Sequence, residues 1–81
     1  MNLTVELFAR ARDLAGRPKV ELELPEPCTV KDLREALVST VPPLEPIVSG
    51  LLVAVNRSYA RDGDRIAERA TVACFPPVSG G

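Results

Sequence analysis

The chain has no histidine, no tryptophan, two cysteines and, besides one tyrosine, only two phenylalanines. Each scarcity excludes something. Without histidine, the commonest general base near neutral pH is missing. Ser39, Ser49, Ser58 and Ser79 then have no visible base to activate them. Cys28 and Cys74 stand far apart with no C-x-x-C spacing, which argues against a metal site or a dithiol redox motif. One disulfide is open in principle. Met1 leads directly into a strand pattern without a secretion signal, so both thiols are expected reduced, in a cytoplasmic protein. The aromatics Phe8, Tyr59 and Phe75 lie in no basic cluster. Ten Lys and Arg are scattered among eleven Asp and Glu, for a net charge of −1. No nucleic-acid partner is therefore expected. No apolar run approaches bilayer thickness, so no membrane partner is expected either.

What is present is a small folded domain. Its 81 residues are 46% hydrophobic, enough for one modest core. NLTVELFAR alternates, with Leu3, Val5 and Leu7 on one face, and predicts a half-buried strand. Gly16 and Pro18 then mark a turn. KVELEL alternates again, so the two segments predict a hairpin joined by a short glycine-containing loop. In TVKDLREALVST, Thr29 suits an N-cap and Asp32 the positive end of a helix. Val30, Leu33, Ala36 and Leu37 fall on one face of that helix, and Pro42-Pro43 end it. LLVAVN fits a strand buried on both faces. Asp62-Gly63 marks a turn, a short strand or turn region surrounds it, and ATVACFP is the last strand. There Val72 and Cys74 alternate with Ala73 and Phe75. The sum is an α+β domain of β-grasp type: a mixed sheet with one main helix packed on one face, over residues 1–76.

Nothing inside that domain predicts an active site. Glu21 and Glu23 are the solvent face of a strand rather than paired catalytic acids. Asp62 and Asp64 flank Gly63 without the other ligands of a calcium loop, so they read as turn chemistry and no metal is expected. Cys74 is phased with Val72 toward the core. Cys28 precedes the helix, where free amides can lower a thiol pKa, but packing against Leu33 is the better reading.

The end of the chain is different. FPPVSGG leaves the last strand as a tail over residues 77–81. Pro76 and Pro77 have preset φ angles that project it extended. Gly80 and Gly81 strip side chains from around the last carboxylate, so a narrow channel can admit it. A reactive C-terminus would be built this way, although frayed chain ends are also ordinary.

LFARARDLAG at 7–16, LLVAVN at 51–56 and FPPVSGG at 75–81 resemble the small subunits of molybdopterin synthase, ubiquitin-like sulfur carriers, over essentially the whole length. The resemblance implies that the Gly81 carboxylate is converted with ATP to an acyl-adenylate on a partner adenylyltransferase. A persulfide donor then makes it a thiocarboxylate. The tail would enter the synthase large subunit, in a heterotetramer of two large and two small subunits. There its sulfur would go to cyclic pyranopterin monophosphate in molybdenum cofactor biosynthesis. The chain would carry the reactive group and hold no permanent cofactor. Gly81 bears the chemistry and Gly80 clears the channel. Phe75, Tyr59, Arg12, Pro76, Pro77, Val78 and Ser79 are the expected partner contacts. Core packing for Phe75 and a solvated loop position for Arg12 are the plainer readings beside these. The chain departs from the family at Glu68-Arg69-Ala70, where a DGD-type turn is usual, and at Cys74, where a larger side chain is common. Two other readings stay open. One is a carrier for thiazole synthesis or tRNA thiolation, or a ubiquitin-like protein modifier. The other is a non-reactive binding module that merely ends in glycines.

Overall fold

The computed structural model describes residues 1–77. Five strands form one sheet: β1 (Asn2–Leu7), β2 (Lys19–Glu23), β3 (Leu52–Val55), β4 (Ser58–Ala60) and β5 (Val72–Phe75), in the order β2-β1-β5-β3-β4. β1 and β5 lie side by side and parallel at the centre, while the other pairs are antiparallel. This is the mixed sheet of a β-grasp. Its two edges are blunted: β2 presents the exposed Lys19, Glu21 and Glu23, and β4 has three residues.

The alternation read from the sequence sets which face is buried. Leu3, Val5, Leu7, Val20, Leu22, Val53, Val72 and Cys74 point inward and are all at most 2% exposed. Helix α2 (Val30–Thr40) covers that face with Val30, Leu33 and Leu37, and Ala36 is packed at the margin. α2 starts with a full capping box. Thr29 Oγ1 accepts from the Asp32 amide at 3.3 Å, and the Thr29 amide donates to Asp32 Oδ2 at 2.9 Å. The next two free amides, Val30 and Lys31, donate to the carbonyls of Asp64 and Asp62. The RDGD segment is thus turn structure that also caps the helix. It ends as proline sterics require: Val41 leaves the α region at φ −131°, ψ 78°.

Two connections differ from the expected ones. The link between β1 and β2 is not a short loop but a helix, α1 (Ala9–Ala15). The strands pair antiparallel as predicted, from Asn2 opposite Glu23 to Glu6 opposite Lys19. Six of the seven residues of ARARDLA, all but Asp13, are good helix formers, and Ala11 is fully buried. Gly16, at φ 75°, closes α1 by donating its amide to the Arg12 carbonyl at 2.9 Å, so the glycine read as a turn is a helix stop. Beyond α2, a 3-10 turn (Pro42–Leu44) runs into a short helix α3 (Glu45–Val48), which returns the chain to β3.

Arg34 ties these connections together. Its Nη1 donates to the Val48 and Leu51 carbonyls at 2.6 and 2.8 Å, and its Nε to Asp62 Oδ1 at 2.7 Å. No helix among the described residues is long and apolar enough to cross a membrane.

Candidate functional site

The sheet face turned away from α2 carries the site. One row of side chains crosses it in register: Glu6 on β1 faces Ala73 on β5, Ala73 faces Ala54 on β3, and Ala54 faces Tyr59 on β4. The two central alanines remove bulk where neighbours are large. Phe75, next outward residue on β5, and Phe8, just past β1, stand beside them. The result is a concavity of about 470 Å³ floored by Ala54 and Ala73 and lined by Glu6, Phe8, Arg57, Tyr59, Thr71 and Phe75.

The three aromatic rings of the chain meet here. Phe75 lies 5.6 Å from Phe8 in a tilted pair and 6.1 Å from Tyr59 edge-to-face. Such pairs add about 0.5–1.5 kcal/mol each and hold the rings in fixed orientations. Even so, Tyr59 is 73% exposed and Phe8 40%, and they are the large hydrophobics left in water among the described residues. Phe75 is half-buried, as the strand phase predicted, and lies outside the core cluster. An exposed aromatic cluster of this kind is the sort of surface that partner docking buries. It also sits at the base of the tail, because β5 ends at Phe75 and Pro76 and Pro77 follow directly.

The face is fixed by an unusual turn. Val55 pairs with Ser58, so Asn56 and Arg57 form a two-residue hairpin loop with φ of 51° and 70°. Positive φ at both positions is the mirror-type turn that favours Asn-Gly. Asn56 suits its place: its Oδ1 accepts from the Thr71 amide at 3.0 Å and its amide donates to the Thr71 carbonyl at 2.8 Å. Arg57 does not, and a non-glycine there costs about 1 kcal/mol. Glu68-Arg69-Ala70 makes the expected turn before β5 in a similar way. Arg69 takes φ 63° and the Ala70 amide donates to the Ala67 carbonyl at 3.2 Å. The departure from the usual sequence there leaves the turn in place.

Of the expected contact residues, Phe75 and Tyr59 come together and Pro76 and Pro77 adjoin them. Arg12 does not join them. It is exposed on α1, in a helix rather than a loop, and it does not line the concavity. Val78, Ser79, Gly80 and Gly81 lie outside the described residues. The sequence reading missed Phe8, Glu6 and Arg57. Phe8 carried a signal, since an apolar residue in the outward phase of β1 has no core to join.

Neither thiol belongs to a site. Cys28 and Cys74 are free and buried, at 1% and 0% exposure. Burial pushes the Cys74 thiol up to about 12. Burial and the carboxylate of Asp32 raise that of Cys28. Both are therefore protonated and poorly nucleophilic near neutral pH. Native protein is expected to leave both unmodified by an aqueous thiol reagent, and unfolded protein to react at both. The same shift predicts alkaline destabilisation. The unfolded Cys74 thiol ionises from its ordinary value of 9.0 upward, while the folded one stays protonated to about 12. Stability is thus full below about pH 9 and falls above it by about 1.4 kcal/mol per pH unit. Urea titrations across this range should show at least that slope, and Cys74→Val should reduce it, leaving the smaller contribution of the raised Cys28 thiol.

With the geometry in place, comparison with known proteins decides the family. The profile of the ThiS family matches residues 5–81. The chain belongs to the ThiS family. A molybdopterin synthase sulfur carrier subunit of Arabidopsis thaliana is 37% identical to this ThiS-family protein over 81 residues, covering 100% of the chain and 84% of the relative. The crystal structure of small archaeal modifier protein 1 from Haloferax volcanii superposes with a TM-score of 0.87 at 30% identity, covering 95% and 98% of the two chains. Subunits 1 and 2 of the molybdopterin-converting factor of Helicobacter pylori have been solved as a complex. A chain of it shares this fold with a TM-score of 0.68 at 18% identity over 100% of both chains.

Proposed function

We propose that this ThiS-family protein is the sulfur carrier subunit of molybdopterin synthase. The observation that carries the reading is the full-length similarity to sulfur carrier subunits, which extends through Gly81. In this role the Gly81 carboxylate attacks the α-phosphorus of ATP on a partner adenylyltransferase and expels pyrophosphate. The acyl-adenylate is needed because a carboxylate is a poor electrophile and AMP a good leaving group. The terminal sulfur of a persulfide then displaces AMP to give an acyl disulfide. A second thiol of the donor cleaves its S–S bond, leaving the thiocarboxylate on this chain and a disulfide on the donor. The resulting thiocarboxylate presents a soft anionic sulfur, which the synthase large subunit directs at cyclic pyranopterin monophosphate. Partners supply the catalytic groups, and this chain supplies the sulfur and its placement. The aromatic concavity holds the partner, so that Pro76 and Pro77 aim the tail from a fixed base. All of this takes place in the cytoplasm. Two large subunits and two copies of this chain make up a heterotetramer.

Mass spectrometry of the protein isolated from its native cell tests the reading. The intact chain should be heavier by the difference between sulfur and oxygen, with the change confined to its C-terminal peptide. A second reading, a ubiquitin-like modifier, draws on the similarity to the archaeal modifier protein. It would appear instead as Gly81 joined to lysines of other proteins. An unmodified carboxylate in cells actively making the cofactor would sink both.

A further inference from the structure

The aromatic concavity has two charged residues in its lining, and neither has a structural task. Glu6 stands on β1 and Arg57 in the β3–β4 turn, on opposite sides of the alanine floor. No hydrogen bond or ion pair within the described residues engages either side chain. β5 and β3 lie between β1 and the β3–β4 hairpin's outer strand, so the two residues stand on different sides of the sheet face and do not pair with each other. Arg57 occupies a backbone conformation, φ 70°, where glycine is favoured, and its side chain makes no hydrogen bond or ion pair among the described residues. Strain kept without such a bond points to function at that residue.

We infer that Glu6 and Arg57 are specificity-determining residues of the aromatic face, and that they select a partner whose apolar anchor is flanked by a cation facing Glu6 and a carboxylate facing Arg57. The inference rests on the proposed reading, in which that partner is the synthase large subunit. The physics is that of a polar rim around an apolar centre. Phe8, Phe75 and Tyr59 provide desolvated area with no preferred orientation about the sheet normal. Two opposite charges on opposite sides fix that orientation, because a partner turned by half a circle meets like charges twice. Such an orientation matters here, since the tail leaves β5 in one direction only. A second copy of this chain could also pair Glu6 with Arg57 across a two-fold axis, but it is a poorer occupant because it would cover the face at the base of the tail and keep that tail from a partner's site.

The test measures Kd for the full-length chain and the large subunit of the same organism across salt concentrations. Arg57→Gly should weaken binding about fivefold at low salt, and Glu6→Gln about threefold. Both losses should vanish near 1 M salt, where the Debye length is about 3 Å. Arg57→Gly should keep or raise the Tm, since glycine relieves the turn, and Arg57→Lys should restore most of the affinity. Glu6→Lys with Arg57→Glu should bind worse than either single neutral variant. Unchanged affinity and salt dependence in the neutral variants, with wild type binding normally, overturns the inference alone. So does a loss that persists in high salt, which would mean packing rather than charge. Failure of the wild-type chain to bind the large subunit at all overturns the proposed function and this inference together. Self-association of the wild-type chain that Arg57→Gly abolishes would make a second copy the occupant and overturn the inference as well.

Discussion

Deleting Gly81, or adding one residue after it, is expected to abolish thiocarboxylate formation and sulfur transfer while leaving the fold intact. The two halves of that expectation have separate causes. The core cluster ends at Cys74, and β5 ends at Phe75, so the last residue is six positions beyond the final strand. The described core is complete by Cys74, and the Tm should not change. The chemistry depends on where the carboxyl carbon sits. One residue of extended chain is about 3.5 Å, so the deletion or the addition moves the reacting carbon by that distance on a docked domain. Misplacement by about 1 Å can already cost about 100-fold in a positioned reaction. A shift more than three times larger should leave no measurable adenylation in a coupled assay with the adenylyltransferase. A truncated chain that supports cofactor synthesis as well as the full one would show that Gly81 does not carry the sulfur.

The fold was legible where one residue pattern had one structural meaning. Period-two alternation placed Leu3, Val5, Leu7, Val72 and Cys74 inward, and Thr29 with Asp32 announced the start of α2. α1 escaped because its sequence sends two messages. Gly16 and Pro18 look like a hairpin turn, and Phe8 as N-cap offers no side-chain hydrogen bond to mark a helix start. Burial of Ala11, which is a tertiary fact, decides for the helix. α3 opens with proline in its first turn and follows two more, so proline spacing alone did not reveal it. The site was legible by halves. Phase alone turned Phe75 outward, and Tyr59 came in only with the family resemblance. Glu6 and Arg57 could not be found that way. They share a surface only because β5 and β3 lie between β1 and β4, an order set by the whole domain. The strain at Arg57 was equally hidden, since Asn-Arg is not a usual pair for its turn.

Phe75→Ala is expected to weaken binding to the large subunit about 30-fold, with only a modest loss of stability. The ring is the centre of the aromatic cluster, in contact distance of both Phe8 and Tyr59, and it borders the alanine floor. A central aromatic anchor that becomes fully desolvated on docking commonly contributes about 2 kcal/mol or more when truncated. Two kcal/mol is about 30-fold in Kd. The folded chain loses less, because Phe75 is only half-buried and belongs to no part of the core cluster. Its removal forfeits the ring-ring contacts, about 1 kcal/mol, which lowers the Tm of a domain this size by about 4–8 °C. Tyr59→Ala should follow the same direction with a smaller effect on stability, since its ring is 73% exposed on the short edge strand. Isothermal titration and thermal melts on the same preparations separate the two quantities. A large fall in Tm with unchanged affinity would assign Phe75 to the core and move the docking surface elsewhere. Unchanged affinity in both variants, with normal stability, would mean that the partner grips the tail alone. The domain would then serve as a handle, and the fixed base that β5 gives to Pro76 and Pro77 would no longer explain how the carboxylate reaches its target.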